Sequence, residues 1–258
     1  MDLAGKNVVY IGGFGGIGQK CVQELLQRQL KALAVFDMTE NAGALAEWRA
    51  GSPGTEIFYQ KVDITRKEDI EAAYKATAER LGHFDVVVNG CGLMNDRLVE
   101  LTIQINLLGV IQSTLAALEY MDKSKGGRGG LIVNISSVAG LQPTALMAIY
   151  SAAKTGVTTF TRSMANPIYY AHSGVSFVTI CPGFTETPLL DDISSKTTFT
   201  YNTPMLDMFQ RVKRQKPEDC ARNLVQAMEQ AQNGAVLMLE LGDTQEIQIP
   251  DFWKPQLE

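Results

Sequence analysis

Short, almost unbroken apolar runs alternate along the chain with longer stretches in which apolar residues recur every three or four positions. The runs Asn7–Ile11, Ala32–Phe36, Glu56–Val62, Phe84–Asn89, Gly130–Ser136, Val175–Cys181 and Ala235–Leu239 are rich in β-branched residues. Continuous apolarity over so few residues predicts strands covered on both faces. Helical spacing occupies Gly16–Arg28, Arg66–Leu81, Arg97–Tyr120, Ile149–His172 and Pro217–Gln230, with a further helix over Glu40–Ala50. The alternation predicts a single α/β domain over residues 1–258, with about seven parallel strands, right-handed crossovers and helices on both faces. Residues 182–215 form a stretch too long for an ordinary connection and are expected to act as a substrate lid, with 242–258 as a C-terminal tail.

Between the first strand and the first helix lies Gly12-Gly13-Phe14-Gly15-Gly16-Ile17-Gly18. Glycines there permit a tight turn and let a pyrophosphate approach the backbone at a helix N-terminus, which makes the sheet Rossmann-type. Asp37 closes the second strand about twenty residues on, where a carboxylate accepts from an adenosine ribose and repels a 2′-phosphate. Its neighbours offer no cation for such a phosphate, so NAD is expected over NADP. The plainer alternative is that Asp37 caps the helix beginning near Glu40. Asp63 lies where an adenine amino group would fall and could equally be a turn former.

Tyr150 and Lys154 stand one helical turn apart on one face. Ser137 ends the fifth strand at the carboxyl edge of the sheet, where open α/β folds bind ligands. Together with Asn89-Gly90-Cys91-Gly92, Asn106 and Pro182-Gly183 followed by Thr187, these elements resemble the short-chain dehydrogenase/reductase family over nearly the whole chain. The resemblance implies Ser137, Tyr150, Lys154 and Asn106 as catalytic residues of an alcohol dehydrogenase. Tyr150 would be the general base, its phenol brought down from near 10 by the ammonium and a positive nicotinamide. Ser137 would hold the substrate oxygen. By resemblance Lys154 also binds the nicotinamide ribose, Asn106 anchors a water chain, and Thr187 meets the carboxamide. Gly12, Gly13, Phe14, Gly16, Ile17, Gly18, Asp37, Asp63, Asn89, Gly90, Pro182 and Gly183 complete the expected cofactor site.

Ile11 and Cys91 depart from many relatives, but Gly13–Gly18, Met121-Asp122-Lys123, Gly126–Gly130 and Gln232–Val236 are similar to the insect alcohol dehydrogenase branch. Ile180–Phe184 also resembles the prostaglandin dehydrogenases. Four of the chain's ten methionines fall in segments expected around the nicotinamide, and methionine moulds itself to irregular apolar shapes. Met94, Met147, Phe184, Leu189 and Met208 are the expected substrate contacts, and no arginine lies between Pro182 and Gln210 to anchor an acid. A lipophilic alcohol, retinoid-like or secondary, is therefore expected. A small secondary alcohol is the alternative, and a binding or storage protein a third.

Composition removes other classes. The formal charge of −5 offers no basic field for nucleic acid. Four scattered cysteines and two histidines make a metal site hard to assemble and suit a reducing, cytoplasmic setting. The N-terminus lacks the order of a signal peptide, and no apolar run is expected to reach membrane-spanning length. The small residues along Ile149–Ala165, with family resemblance, imply a homodimer in which the tail, with Phe252 and Trp253, reaches the partner's site.

Overall fold

The computed structural model describes residues 1–201 and 203–250. Eight strands form one sheet: β1 (Asn7–Ile11), β2 (Ala32–Asp37), β3 (Glu56–Lys61), β4 (Val86–Asn89), β5 (Gly130–Ile135), β6 (Val175–Pro182), β7 (Val236–Glu240) and β8 (Asp243–Glu246). Their order is β3-β2-β1-β4-β5-β6-β7-β8, parallel through β7. The expected Rossmann-type architecture is present, with one added strand. β8 runs antiparallel to β7 and falls inside the stretch expected to be tail. Its residues are exposed and polar, so no apolar alternation marked it. Residues 251–258, which include Phe252 and Trp253, lie outside the described residues.

Strand alternation divides the core in two. In β1, Val8 and Tyr10 join one cluster with Leu25, Leu45 and Leu224, while Val9 and Ile11 join the opposite one with Tyr74, Ala117 and Phe177. The helices covering the first face are α1 (Gly16–Leu26), α2 (Ala42–Gly51) and, latest in the chain, one over Pro217–Gln230. The second face carries α3 (Lys67–Leu81) and the helical run that begins with α4 (Val99–Ile103) and continues as α5 (Gly109–Met121). Asn41, and not Asp37, caps α2, accepting from Ala44 N at 3.0 Å.

Two helices depart from expectation. Between α4 and α5 the turn Gln104–Leu108 is π-helical, centred on the buried Asn106. The expected helix Ile149–His172 is two, α6 (Ala148–Met164) and α7 (Pro167–Ser173). Pro167 lacks the N–H to continue the ladder, and Asn166 restarts the helix by accepting from Ile168 N. Farther on, 182–215 is not irregular throughout: it contains α8 (Ile193–Lys196) and α9 (Thr203–Arg211) before α10 (Pro217–Gln230). The continuous run Val99–Met121, 23 residues, is also long and apolar enough to cross a membrane, against expectation. Its inner side packs on the sheet through Val110, Ala117 and Met121, all fully buried.

A polar girdle crosses the second face. Asn89 and Asn134 sit in register on β4 and β5, and Asn89 Nδ2 donates to Asn134 Oδ1 at 2.7 Å. Ser113 Oγ donates to Asn89 Oδ1, Tyr74 bonds Ser113, and Asn134 Nδ2 donates to Thr161 of α6. Five elements are thus tied at one buried spot just beneath the ends of the strands. Replacing Asn134 with Val leaves Asn89 Nδ2 only its longer bond to Thr114 Oγ1, at 3.2 Å, and takes the Asn134 donor from Thr161, whose hydroxyl keeps its bond to Val157 O. We expect a loss of about 2 kcal/mol from two buried hydrogen bonds removed, read as a lower urea midpoint at unchanged slope. An unchanged midpoint would mean that the girdle contributes nothing.

Candidate active site

β1 and β4 are neighbours from which the chain departs in opposite directions across the sheet, and such a switch point leaves a crevice at the carboxyl ends. The turn after β1 fits against it only with glycine. Gly12 has φ +80°, and a Cβ there would lie 2.7 Å from Cys91 N. A Cβ on Gly18 would lie 2.2 Å from Gly12 O, so α1 can approach the turn only without one. Gly15, the N-cap of α1, has no side chain to cap it and no acid follows in the first turn. The donors of this helix start are therefore left for a ligand.

Asp37 stands at the end of β2 and lines the same cleft. Its Oδ2 accepts from Phe14 N at 3.0 Å and its Oδ1 from Met38 N at 2.8 Å. Phe14 in turn stacks on Trp48, centroids 5.6 Å apart, and leans on Tyr59, whose hydroxyl donates to Asp37 O. The carboxylate is thus held by two backbone amides, one of them on a residue packed among aromatic rings, and among the described residues no cation forms an ion pair with it.

α6 brings the chemistry to the strand ends. Lys154 Nζ donates to Ile135 O at 2.9 Å and lies 5.7 Å from the Tyr150 ring centroid. Ser137, just past β5, lines the cleft with Tyr150, and its Oγ accepts from Ala139 N at 3.1 Å. Ser136, its neighbour, fastens the sheet to α6 by donating to Lys154 O. Asn106 sits behind, donating to Leu93 O and Thr102 O and accepting from Leu93 N. Its clamp holds the wall after β4, and a Cβ on Gly92 would meet both Asn106 Oδ1 and Lys154 Nζ.

Burial dominates the electrostatics. It pushes the Tyr150 phenol up to about 12, the Ser137 hydrogen bond pulling the other way. It pulls the Lys154 ammonium down to about 8. The expected lowering of the phenol is therefore not supplied by the protein alone, because desolvation outweighs the pull of Ser137. Burial also raises the Cys91 thiol to about 11, so this cleft-lining cysteine stays a thiol.

The cavity, about 920 Å³, joins two different ends. One is lined by Gly12, Phe14, Gly16, Ile17, Gly18, Asp37 and Gly90, with Pro182, Gly183 and Thr187 farther along. The other is apolar: Met94, Leu146, Met147, Ile193 and Phe209 form a buried cluster with Tyr150, and Phe184 and Leu189 pack on it. Ser137, Tyr150 and Lys154 line the junction.

Several expected residues lie elsewhere. Asn89 is locked in the polar girdle. Gly13 faces Val35, where a Cβ would come within 2.7 Å, so it serves packing. Asp63 spends its Oδ1 on Thr65 N and Oγ1, a turn-former's role. Met208 is 67% exposed, because Phe209, one position on, takes the inward phase of α9. Thr39, Glu40 and Asn41 line the cleft unforeseen, being polar loop positions without a motif. Asp96 was also missed: it is buried, and its carboxylate accepts from the N-terminal amides of α6.

Residues 6–198 match the short chain dehydrogenase family. The chain belongs to that family. Alcohol dehydrogenase 1 of Ceratitis capitata is 44% identical over 255 residues, 99% of each chain, which also supports the fly-type alcohol dehydrogenase branch. Among solved structures, levodione reductase superposes with TM-score 0.79 at 23% identity, over 93% of this chain and 98% of that one. A 3-ketoacyl-(acyl-carrier-protein) reductase from Brucella melitensis, complexed with NADH, gives 0.73 at 23%, with the same coverage. These two show that the short chain dehydrogenase fold is shared.

The Lys154 value carries a stability consequence. Its folded-state pKa lies below that of an unfolded lysine, so below about pH 8 the folded chain bears the full cost of a buried ammonium. That cost fades as pH rises towards the free value and is gone above it. At about 1.4 kcal/mol per pH unit it amounts to about 3 kcal/mol. Urea unfolding of wild type and Lys154→Met, compared from about pH 7 to about pH 10, is expected to show wild type gaining on the variant by that order. A difference constant with pH would refute the buried charge.

Proposed function

We propose that this chain oxidises a lipophilic alcohol, retinoid-like or secondary, to its carbonyl with NAD as hydride acceptor. The observation that carries the reading is the meeting of Ser137, Tyr150 and Lys154 where the glycine-lined and apolar ends of one cleft join. NAD fits the first end: a turn in which Cβ atoms cannot be accommodated, an uncapped helix start and a carboxylate without a cation beside it. Gly12, Phe14, Gly16, Ile17, Gly18, Asp37, Gly90, Pro182, Gly183 and Thr187 would hold it, with Lys154 on the nicotinamide ribose. Bound there, it supplies the hydride acceptor and a positive ring that favours the phenolate.

The chain's own groups do the proton work. The Ser137 hydroxyl orients the alcohol oxygen towards the Tyr150 phenolate, which takes the hydroxyl proton. Lys154 stabilises the phenolate and passes the proton onward near Asn106. Tyr150 stays protonated in the protein alone, so the base forms only once positive charge enters the site.

The apolar end supports a lipophilic substrate. Of the described lining residues only Lys154 and Lys196 are cationic, and the Lys196 ammonium is occupied by Asp191 O. Residues 182–215 act as the lid through Phe184, Leu189 and Phe209. The relative named alcohol dehydrogenase 1 favours the second reading, a small secondary alcohol. A binding or storage role is disfavoured by the complete Ser137, Tyr150 and Lys154 set.

We further read the protein as a cytoplasmic homodimer of single-domain subunits. Leu101, Leu108 and Leu115 are exposed at seven-residue spacing along the helical run Val99–Met121, a stripe suited to a partner helix. Sedimentation is expected to give a dimer at micromolar concentration, and a stable monomer would refute it.

An NADH-absorbance assay across retinol, long-chain, steroid and short secondary alcohols is expected to favour the lipophilic set and to show NAD turning over at least about tenfold better than NADP. Tyr150→Phe is expected to lose about two to four orders of magnitude, the range of positioned proton transfer. Equal turnover by that variant would sink the mechanism, and preference for a short secondary alcohol would sink the substrate reading.

A further inference from the structure

Helix α6 carries Tyr150 in its first turn, yet it has no cap of its own. The residue at its start, Met147, offers no side-chain acceptor. The missing acceptor comes from Asp96, on the loop between β4 and α4. Asp96 Oδ1 accepts from Tyr150 N at 2.9 Å, and Oδ2 accepts from Ile149 N at 2.8 Å. The side chain is 3% exposed, and no described lysine, arginine or histidine forms an ion pair with it. A buried carboxylate held without a cation depends wholly on its N–H and O–H donors. The positive end of α6 is the natural place for it.

The remaining donor comes from the segment after β6. Thr198 Oγ1 donates to Asp96 Oδ2 at 2.6 Å, and Asp96 N donates to Lys196 O at 2.8 Å. Thr198 N also donates to Leu146 O, and its Oγ1 accepts from Ala148 N at 2.8 Å. One threonine therefore closes three groups: the Asp96 carboxylate, the start of α6, and the backbone beside Leu146 and Met147, which wall the apolar end. When Thr198 leaves, Asp96 loses a donor and Ala148 N loses its acceptor.

We propose that Asp96 is a positioning residue for Tyr150 and, with Thr198, a latch that couples docking of segment 196–198 to placement of the phenol. Closure over the apolar end and assembly of the acid-base group are then one event. Substrate in the apolar end favours the docked segment, and the docked segment completes the donor set of the carboxylate that fixes the first turn of α6. This rests on Tyr150 acting as the base, but the coupling itself is a property of the chain and can be read without turnover.

The test compares wild type, Asp96→Asn, Thr198→Val, Thr198→Ser and the double variant Asp96→Asn/Thr198→Val. Hydrogen exchange in the protein alone is the first readout. Asp96→Asn removes one acceptor oxygen, and Thr198→Val removes only the hydroxyl. Each is expected to speed exchange at the Ile149 and Tyr150 amides by about tenfold, the loss of one charge-assisted bond. Thr198→Ser restores the hydroxyl and the wild-type rate. The second readout is kinetic. Thr198→Val is expected to raise KM for the alcohol and lower kcat together while NADH affinity, measured by fluorescence, stays unchanged. The double variant is expected to fall no further than Asp96→Asn alone, since both act on one unit. Exchange at Tyr150 unmoved by Thr198→Val, or fully additive kinetic losses, would overturn the latch. If Asp96→Asn does not fold, Thr198→Val and Thr198→Ser decide alone. Should wild type turn over no alcohol, it is the dehydrogenase reading that fails, and the exchange result still judges the latch.

Discussion

The parallel pairing of β1 with β4 is the constraint from which the rest of this molecule follows. Strands on either side of that pair are reached by helices on opposite faces, so the crossovers leave a crevice at the carboxyl ends of the switch. Each chemical feature lies at those ends. The glycine turn leaves β1, Asp37 ends β2, Gly90 and Cys91 follow β4, and Ser137 follows β5. α6 then lies across the opening with Tyr150 and Lys154 on its inner side. The girdle through Asn89 and Asn134 holds β4 to β5 just beneath, so that the strands on which the site stands cannot separate without exposing unpaired amides.

Placing the reactive groups this deep sets a particular electrostatic condition. The interior disfavours both the tyrosinate and the ammonium, which is the reverse of what proton abstraction requires. A resting site in that state holds no strong base beside a cavity that solvent can enter. Charge brought in by a ligand changes the balance. On the proposed mechanism the base therefore forms only in the occupied site, and burial sets that condition.

How much of this could be read from residue order follows the range of the forces. Strands β1 to β7 announced themselves because burial on both faces demands continuous apolarity. The glycine turn was legible because backbone sterics leave few other residues there. β8 was not, since Asp243–Glu246 pairs through its backbone and carries no apolar signal. The break at Pro167 was masked by apolar periodicity that continues on both sides of it. Met208 was expected at the substrate but is exposed, because a short amphipathic helix does not fix its own phase; packing of Phe209 against Phe184 does. Asp96 could not be found at all, as its partners lie on α6 and on the segment after β6. Nothing in the neighbouring residues distinguishes it from a loop aspartate.

The added strand has an effect on the colloidal behaviour of the protein. A parallel sheet ending at β7 would present Val236–Glu240, an apolar strand, as an open row of amides and carbonyls to any passing chain. β8 covers that row with four residues, two of them acidic, and returns antiparallel through exposed side chains. So short and charged a border is a poor template for another strand. The sheet therefore ends at that side on a strand ill suited to growth, and like-charge repulsion discourages pairing with a second copy.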